Sequence, residues 1–170
     1  MSPRGQERRR EPRNDLTSAL VRADLDDEAI LAFLLLLAPA GAETTYRSSS
    51  NLLCGLLRDP AQLEAVRLDR DLLPRAIEEG LRWECPVVSI LRTTTRAVNV
   101  GGTEIPARAA VSVNLGAANR DPARWPVAPD RFDLFREPRA HLAFASGPHR
   151  CLGMHLARME TRVMIETLLD

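Results

Sequence analysis

Apolar positions crowd the stretch from Ile30 to Leu57 at helical spacing, which predicts one long, largely buried helix over residues 27–58. Asp59-Pro60 opens a new segment, because a proline is tolerated in a helix's first turn, where its missing N–H costs nothing. Residues 15–22 make a short helix. Residues 71–84 make another, with Leu72, Ile77 and Leu81 inward and Pro86 as its stop. Residues 152–169 read as a last helix, with Leu152, Leu156, Met159 and Val163 on one stripe. Between these helices the period changes. Val, Ile and Thr dominate residues 87–113, where Val98 to Ile105 forms a hairpin turned at Gly101-Gly102 and Ala109 to Asn114 forms a further strand. Pro122, Pro126, Pro129 and Pro138 make residues 121–140 an irregular stretch without ladders. Residues 1–14, polar and Arg-rich, are expected to be disordered, which leaves 15–170 as folded chain. The predicted class is mainly α with a small β component.

Charge and composition narrow the functions. Formal net charge is zero, so no global field favours nucleic acid, and no basic tract with interleaved aromatics occurs. All 23 basic residues counted as Lys and Arg are arginine, which removes lysine-based Schiff-base and P-loop chemistry. Cysteines 54, 85 and 151 form no C-x-x-C, and their odd number argues against a disulfide framework and suits a reducing, cytoplasmic compartment. Cys54 and Cys85 read as small core or loop residues. The Arg-rich start, the apolar run Ile30 to Ala38 and Ala38-Pro39-Ala40 imitate a secretory signal. However, the acidic cluster Asp24, Asp26, Asp27 and Glu28 sits where positive charge is required, so no signal peptide is expected. The run is also too short to span a bilayer, and no membrane association is expected.

Three motifs carry chemistry. Phe144-Ala145-Ser146-Gly147-Pro148-His149-Arg150-Cys151-Leu152-Gly153 fits F-x-x-G-x-H-x-C-x-G. A thiolate at Cys151, at the start of a helix, gains from free N–H groups and the helix dipole. Gly147 and Gly153 let the backbone bend and a flat cofactor approach, and Phe144 can pack beside the sulfur. A buried cysteine in a loop-to-helix turn and a zinc site of His149, Cys151 and His155 are the alternatives for this loop alone. Within the long helix, Ala40-Gly41-Ala42-Glu43-Thr44-Thr45 puts an acid and an alcohol among apolar residues, where polar groups are costly unless paired or hydrated. Pro39 removes one N–H from the helical ladder, so a bulge or kink is expected there. Glu79-Gly80-Leu81-Arg82 is an E-x-x-R pair on one helix face, and Pro129-Asp130-Arg131-Phe132 follows in the proline-rich stretch.

Together, in this order and at these separations, the motifs resemble the bacterial soluble type of the cytochrome P450 family. The resemblance covers about residues 13–170 and corresponds to a C-terminal portion of a longer domain, truncated at both ends. It implies a long distal helix, an E-x-x-R helix, a small sheet, a proline-rich meander, a cysteine loop and a proximal helix. Cys151 would be the axial thiolate of haem b, with His149 and Arg92 binding propionates and Phe144, Gly147 and Gly153 shaping the loop. Ala40 and Gly41 would face the distal side, Thr44 would hydrogen-bond the O2 being activated, and Glu43 would relay protons. Glu79, Arg82 and Arg131 would form one buried structural network, and Val88 and Ile90 would line the substrate pocket. The implied activity is monooxygenation of a small hydrophobic molecule, with electrons from a ferredoxin or flavodoxin and its NAD(P)H reductase. A peroxide-driven peroxygenase and a catalytically inactive remnant are the alternatives.

Overall fold

The structure, a computed structural model, describes residues 3–23 and 25–170; Met1, Ser2 and Asp24 of the acidic cluster lie outside them. Two compact units meet in sequence between Glu43 and Thr44.

The first unit opens with two short helices. Helix α1 spans Pro3–Arg10 and α2 spans Leu16–Arg22. Arginine pairing orders this end. Arg8 meets Asp15 at 2.5 Å, and Arg9 reaches Asp27 at 3.0 Å and the Leu25 carbonyl at 3.1 Å. Asp15 also caps α2 by accepting from the Ser18 N–H. That hydrogen bond, with Arg8 beside it, holds the carboxyl at about 2. Helix α3, Asp27–Arg58, begins in this unit and continues into the second. It contains Pro39 within its length.

The burial of α3 also differs from expectation. Leu31, Leu35, Leu36 and Leu37 are exposed. The apolar run, read in isolation as too short, belongs to a 32-residue helix that is long and apolar enough to cross a membrane. Periodicity places apolar residues on a helix; the chain packed against it decides whether they are buried.

The second unit holds the core. The inner face of α3 supplies Leu52 and Leu56. Helix α4, Pro60–Leu68, starts at the Asp59 N-cap and adds Val66. After a 3-10 turn at Arg70–Leu72, α5 (Leu73–Trp83) contributes Leu73, Ala76, Ile77, Leu81 and Trp83. Strands β1 (Ser89–Thr93) and β4 (Ala110–Asn114) pair antiparallel, with Ile90 opposite Val113 and Arg92 opposite Val111. Strands β2 (Val98–Val100) and β3 (Thr103–Ile105) close the predicted hairpin at Gly101-Gly102. A single turn of helix, α6 (Leu115–Ala118), leads into the irregular stretch, which sends Phe132 and Leu134 into the core. Burying each such side chain contributes about 1.5–3 kcal/mol.

Helix α7, Met154–Leu169, turns a face other than the Leu152, Leu156, Met159 and Val163 stripe toward the core. Thr161 and Ile165 are buried and Met154 and Arg158 half-buried, whereas Leu152 ahead of the helix and Leu156, Met159 and Val163 along it are exposed. The two sets are offset by two residues, about 200° around a helix, so they occupy opposite faces. Inward rotation is set by Ile165 in the core, by the Thr161 hydroxyl 3.3 Å from Ser49 Oγ, and by an ion pair of Arg158 with α5.

Candidate haem-ligating loop and its support

The irregular stretch is held on α5 by one carboxylate and one guanidinium. Arg82 donates from Nε and Nη2 to the two Glu79 oxygens, both at 2.7 Å. Its other donors go to the carbonyls of Asn119 (3.0 Å), Pro129 (2.7 Å) and Arg131 (2.9 Å). All five N–H groups of the fork are therefore used, which is what a side chain with 1% exposure requires. The Trp125 ring stacks 5.3 Å from the same guanidinium. Glu79 Oε1 additionally accepts the Asp133 N–H at 2.9 Å and Arg136 Nε at 3.1 Å.

The second cation of this network is Arg136, and Arg131, named from the sequence, is not part of it. The Arg131 side chain is exposed and contributes only its backbone carbonyl, which accepts from both Arg82 and Arg136. Its neighbour explains the difference. Phe132 is buried edge-on against Trp83, which turns the adjacent Arg131 outward; the chain then bends at Asp133, and Arg136 returns to Glu79.

The cysteine loop leaves the core at Ala143. Ala145 and Gly147 adopt positive φ, 54° and 74°, and Gly147–His149 forms a 3-10 turn. The chain then doubles back, and the Cys151 N–H donates to the Phe144 carbonyl at 3.0 Å. Cys151 is exposed and lies three residues before the first residue of α7, with Gly153 as the N-cap. A Cβ added at Gly147 or Gly153 would meet nothing within 4 Å, so the space beside the thiol is open. His149 and Arg150 are exposed.

Among the described residues no three His, Cys, Asp or Glu side chains gather to hold a metal ion, so His149, Cys151 and His155 do not make a zinc site. A lone accessible thiol beside open space fits a flat metal group that brings its remaining ligands with it.

Behind this loop stands a second cluster that sequence reasoning missed. Glu78, adjacent to the buried Glu79, takes Arg158 Nε at 2.6 Å and Nη2 at 2.9 Å, and His141 Nε2 lies 3.2 Å away. The other ring nitrogen of His141 accepts the Ala143 N–H at 3.2 Å, which leaves Nε2 as the protonated nitrogen facing Glu78. Burial pushes the Glu78 carboxyl up; the hydrogen bonds from Arg158 and His141, with the charge of Arg158, outweigh it and hold the group at about 2. The Arg158 guanidinium lies 4.6 Å from the Phe144 ring centroid. Arg158 is seven residues beyond Cys151, about one turn into α7, and His141 is three before Phe144. These spacings are signals a sequence reader could weigh.

The remaining candidates are dispersed. Ile90 and Arg92 project from one face of β1; Ile90 packs partly against the core, and exposed Arg92 donates to the Leu91 carbonyl at 2.8 Å. Val88 is exposed just before the strand, and its carbonyl accepts the Gly116 N–H at 3.0 Å. In α3, Ala40, Gly41 and Glu43 are exposed in the first unit, while Thr44, which opens the second, is half-buried.

The family model described as Cytochrome P450 matches residues 2–170. The chain is 45% identical over 171 residues to the putative cytochrome P450 126 of Mycobacterium tuberculosis, covering 96% of this chain and 41% of that protein. It is 44% identical over 169 residues to cytochrome P450 107B1 of Saccharopolyspora erythraea, covering 96% and 42%. Cytochrome P450 CYP109Q5 from Chondromyces apiculatus has the same fold with a TM-score of 0.94 at 44% identity, over 98% of this chain and 44% of that one. The chain thus spans about two fifths of the length of the curated relatives it matches.

Proposed function

The chain belongs to the cytochrome P450 family, and on that premise we propose that it carries the iron-ligating portion of a haem-thiolate monooxygenase acting on a small hydrophobic molecule. The observation that carries the reading is the loop Phe144–Gly153. Its exposed thiol is set by the Cys151 N–H to Phe144 carbonyl bond, with open space at both flanking glycines. Haem b, when bound, supplies the O2 and electron chemistry, and a thiolate ligand favours O–O cleavage.

The chain's own residues bind, orient and move protons. Cys151 ligates as thiolate. His149 and Arg92 bind propionates, the exposure of both leaving them accessible. Phe144, Gly147 and Gly153 shape the loop, and Ala40 and Gly41 leave the α3 backbone uncrowded. Gly41 in particular has nothing within 4 Å of an added Cβ. Thr44 offers a hydroxyl to O2, and exposed Glu43 exchanges protons with solvent and passes them on. Val88 and Ile90 contribute apolar surface to the substrate site. Electrons come from a ferredoxin or flavodoxin with its NAD(P)H reductase, in the cytoplasm. In this reading the exposed apolar faces of α3 and α7 are covered in the assembled protein, because a contiguous exposed apolar stripe is unfavourable in water.

The test is a carbon monoxide difference spectrum of the reduced, haem-supplemented protein. A thiolate-type, red-shifted band that Cys151→Ser abolishes is the expected result. A band unaffected by the substitution rejects the assignment, and no band at all favours a remnant that does not hold haem.

A further inference from the structure

We propose that Arg158 is a positioning residue for Cys151: anchored on Glu78, its guanidinium holds the Phe144 segment to whose carbonyl the Cys151 N–H is bonded. This rests on the reading of Cys151 as the iron ligand for its consequence in the loaded protein, but not for its structural content.

The connection is continuous. The Arg158 fork makes two charge-assisted hydrogen bonds to Glu78, at 2.6 and 2.9 Å, and the planar face that remains lies 4.6 Å from the Phe144 centroid. His141 brings the other end of the segment to the same carboxylate, with Nε2 3.2 Å from Glu78. The next residue, Leu142, is pinned through its N–H to buried Asn119 at 2.7 Å. Three elements distant in sequence (α5, the loop entry and α7) thus meet at one carboxylate. Beyond Phe144 the loop has positive-φ residues at 145 and 147 and exposed residues from Ser146 to Gly153, so it has little packing of its own. The Phe144 carbonyl is where it is tied back. Arg158 is raised chiefly by its hydrogen bond to Glu78, which outweighs the opposing effect of burial.

The experiment compares the full chain with Arg158→Met, Arg158→Lys and Glu78→Gln. Amide hydrogen exchange is read at Cys151 without haem, and the share of thiolate-type carbon monoxide spectrum is read with haem. Arg158→Met should raise Cys151 amide exchange about tenfold, the low end for a lost charge-assisted hydrogen bond, while the α5 amides near Ile77 keep their protection. Arg158→Lys, which keeps the charge, should recover part of that protection, and Glu78→Gln should loosen the same amide. With haem, the thiolate-type share should fall in the same order. If Arg158→Met does not fold, Glu78→Gln against wild type decides alone. Unchanged Cys151 exchange in the folded variants overturns the proposal. So does a uniform rise across the chain that lysine does not relieve, since that would be a general loss of stability. A wild type without a thiolate-type spectrum would reject the ligand reading and leave the exchange comparison standing.

Discussion

Arg136 and Arg82 share one carboxylate: Glu79 Oε1 accepts Arg136 Nε at 3.1 Å and Arg82 Nη2 at 2.7 Å, with all three side chains buried to 9% exposure or less. Breaking a buried pair of this kind strands a charge and costs about 3–5 kcal/mol. Arg82→Met and Arg136→Met should both lower the urea midpoint strongly. Arg131→Met, at an exposed position, should stay within about 0.5 kcal/mol of wild type. Equal losses from Arg131→Met and Arg136→Met would assign the network wrongly.

Glu78 makes stability depend on acid. Its carboxyl is held at about 2 in the folded chain against an ordinary value of 4.5, so its contribution is complete above about pH 4.5 and is lost as pH falls toward 2. Glu78→Gln should therefore be less stable than wild type at neutral pH, and the gap should close between pH 4.5 and 2. Chemical denaturation at a series of pH values measures it; a gap that widens on acidification contradicts the pairing. The group is partly exposed, so the effect should also weaken in salt.

Gly55 sits where the irregular stretch closes on α3. An added Cβ would lie 2.8 Å from Phe132 Cδ2 and 2.9 Å from its Cγ, close to the root of the ring, so the ring cannot swing clear without leaving Trp83. Gly55→Ala should destabilise by about 1–3 kcal/mol net of its gain in helix propensity. Adding Phe132→Leu should recover part of that loss relative to Phe132→Leu alone. A thermal-melt double-mutant cycle with no coupling would contradict the close approach.

Thr44→Ala in the haem-loaded protein should uncouple turnover if Thr44 holds the distal hydrogen bond and Glu43 feeds protons. Reductant would still be consumed, but hydrogen peroxide would leave in place of product. Turnover supported by added peroxide should suffer less. Product formed per reductant consumed, with and without peroxide, is the measurement; unchanged coupling would make the pair a feature of the helix alone.

What the sequence by itself determined is local in origin. The Asp59-Pro60 helix start, the hairpin at Gly101-Gly102 and the E-x-x-R pairing each span a few residues, and bond geometry with hydrogen-bond reach settles them. The cysteine loop was legible for the same reason, since its fixed positions lie within ten consecutive residues. Tertiary structure decided which faces turn inward and which distant charges meet. Leu152, Leu156, Met159 and Val163 form as regular a stripe as the Met154, Arg158, Thr161 and Ile165 set that faces the core; only contacts from α3 and α5 choose between faces about 200° apart. Either Arg131 or Arg136 can reach Glu79 by sequence separation, and burial of Phe132 selects Arg136. The meeting of Glu78, His141 and Arg158 spans 63 and 80 residues of chain, distances over which no periodicity operates; packing brings those three groups together.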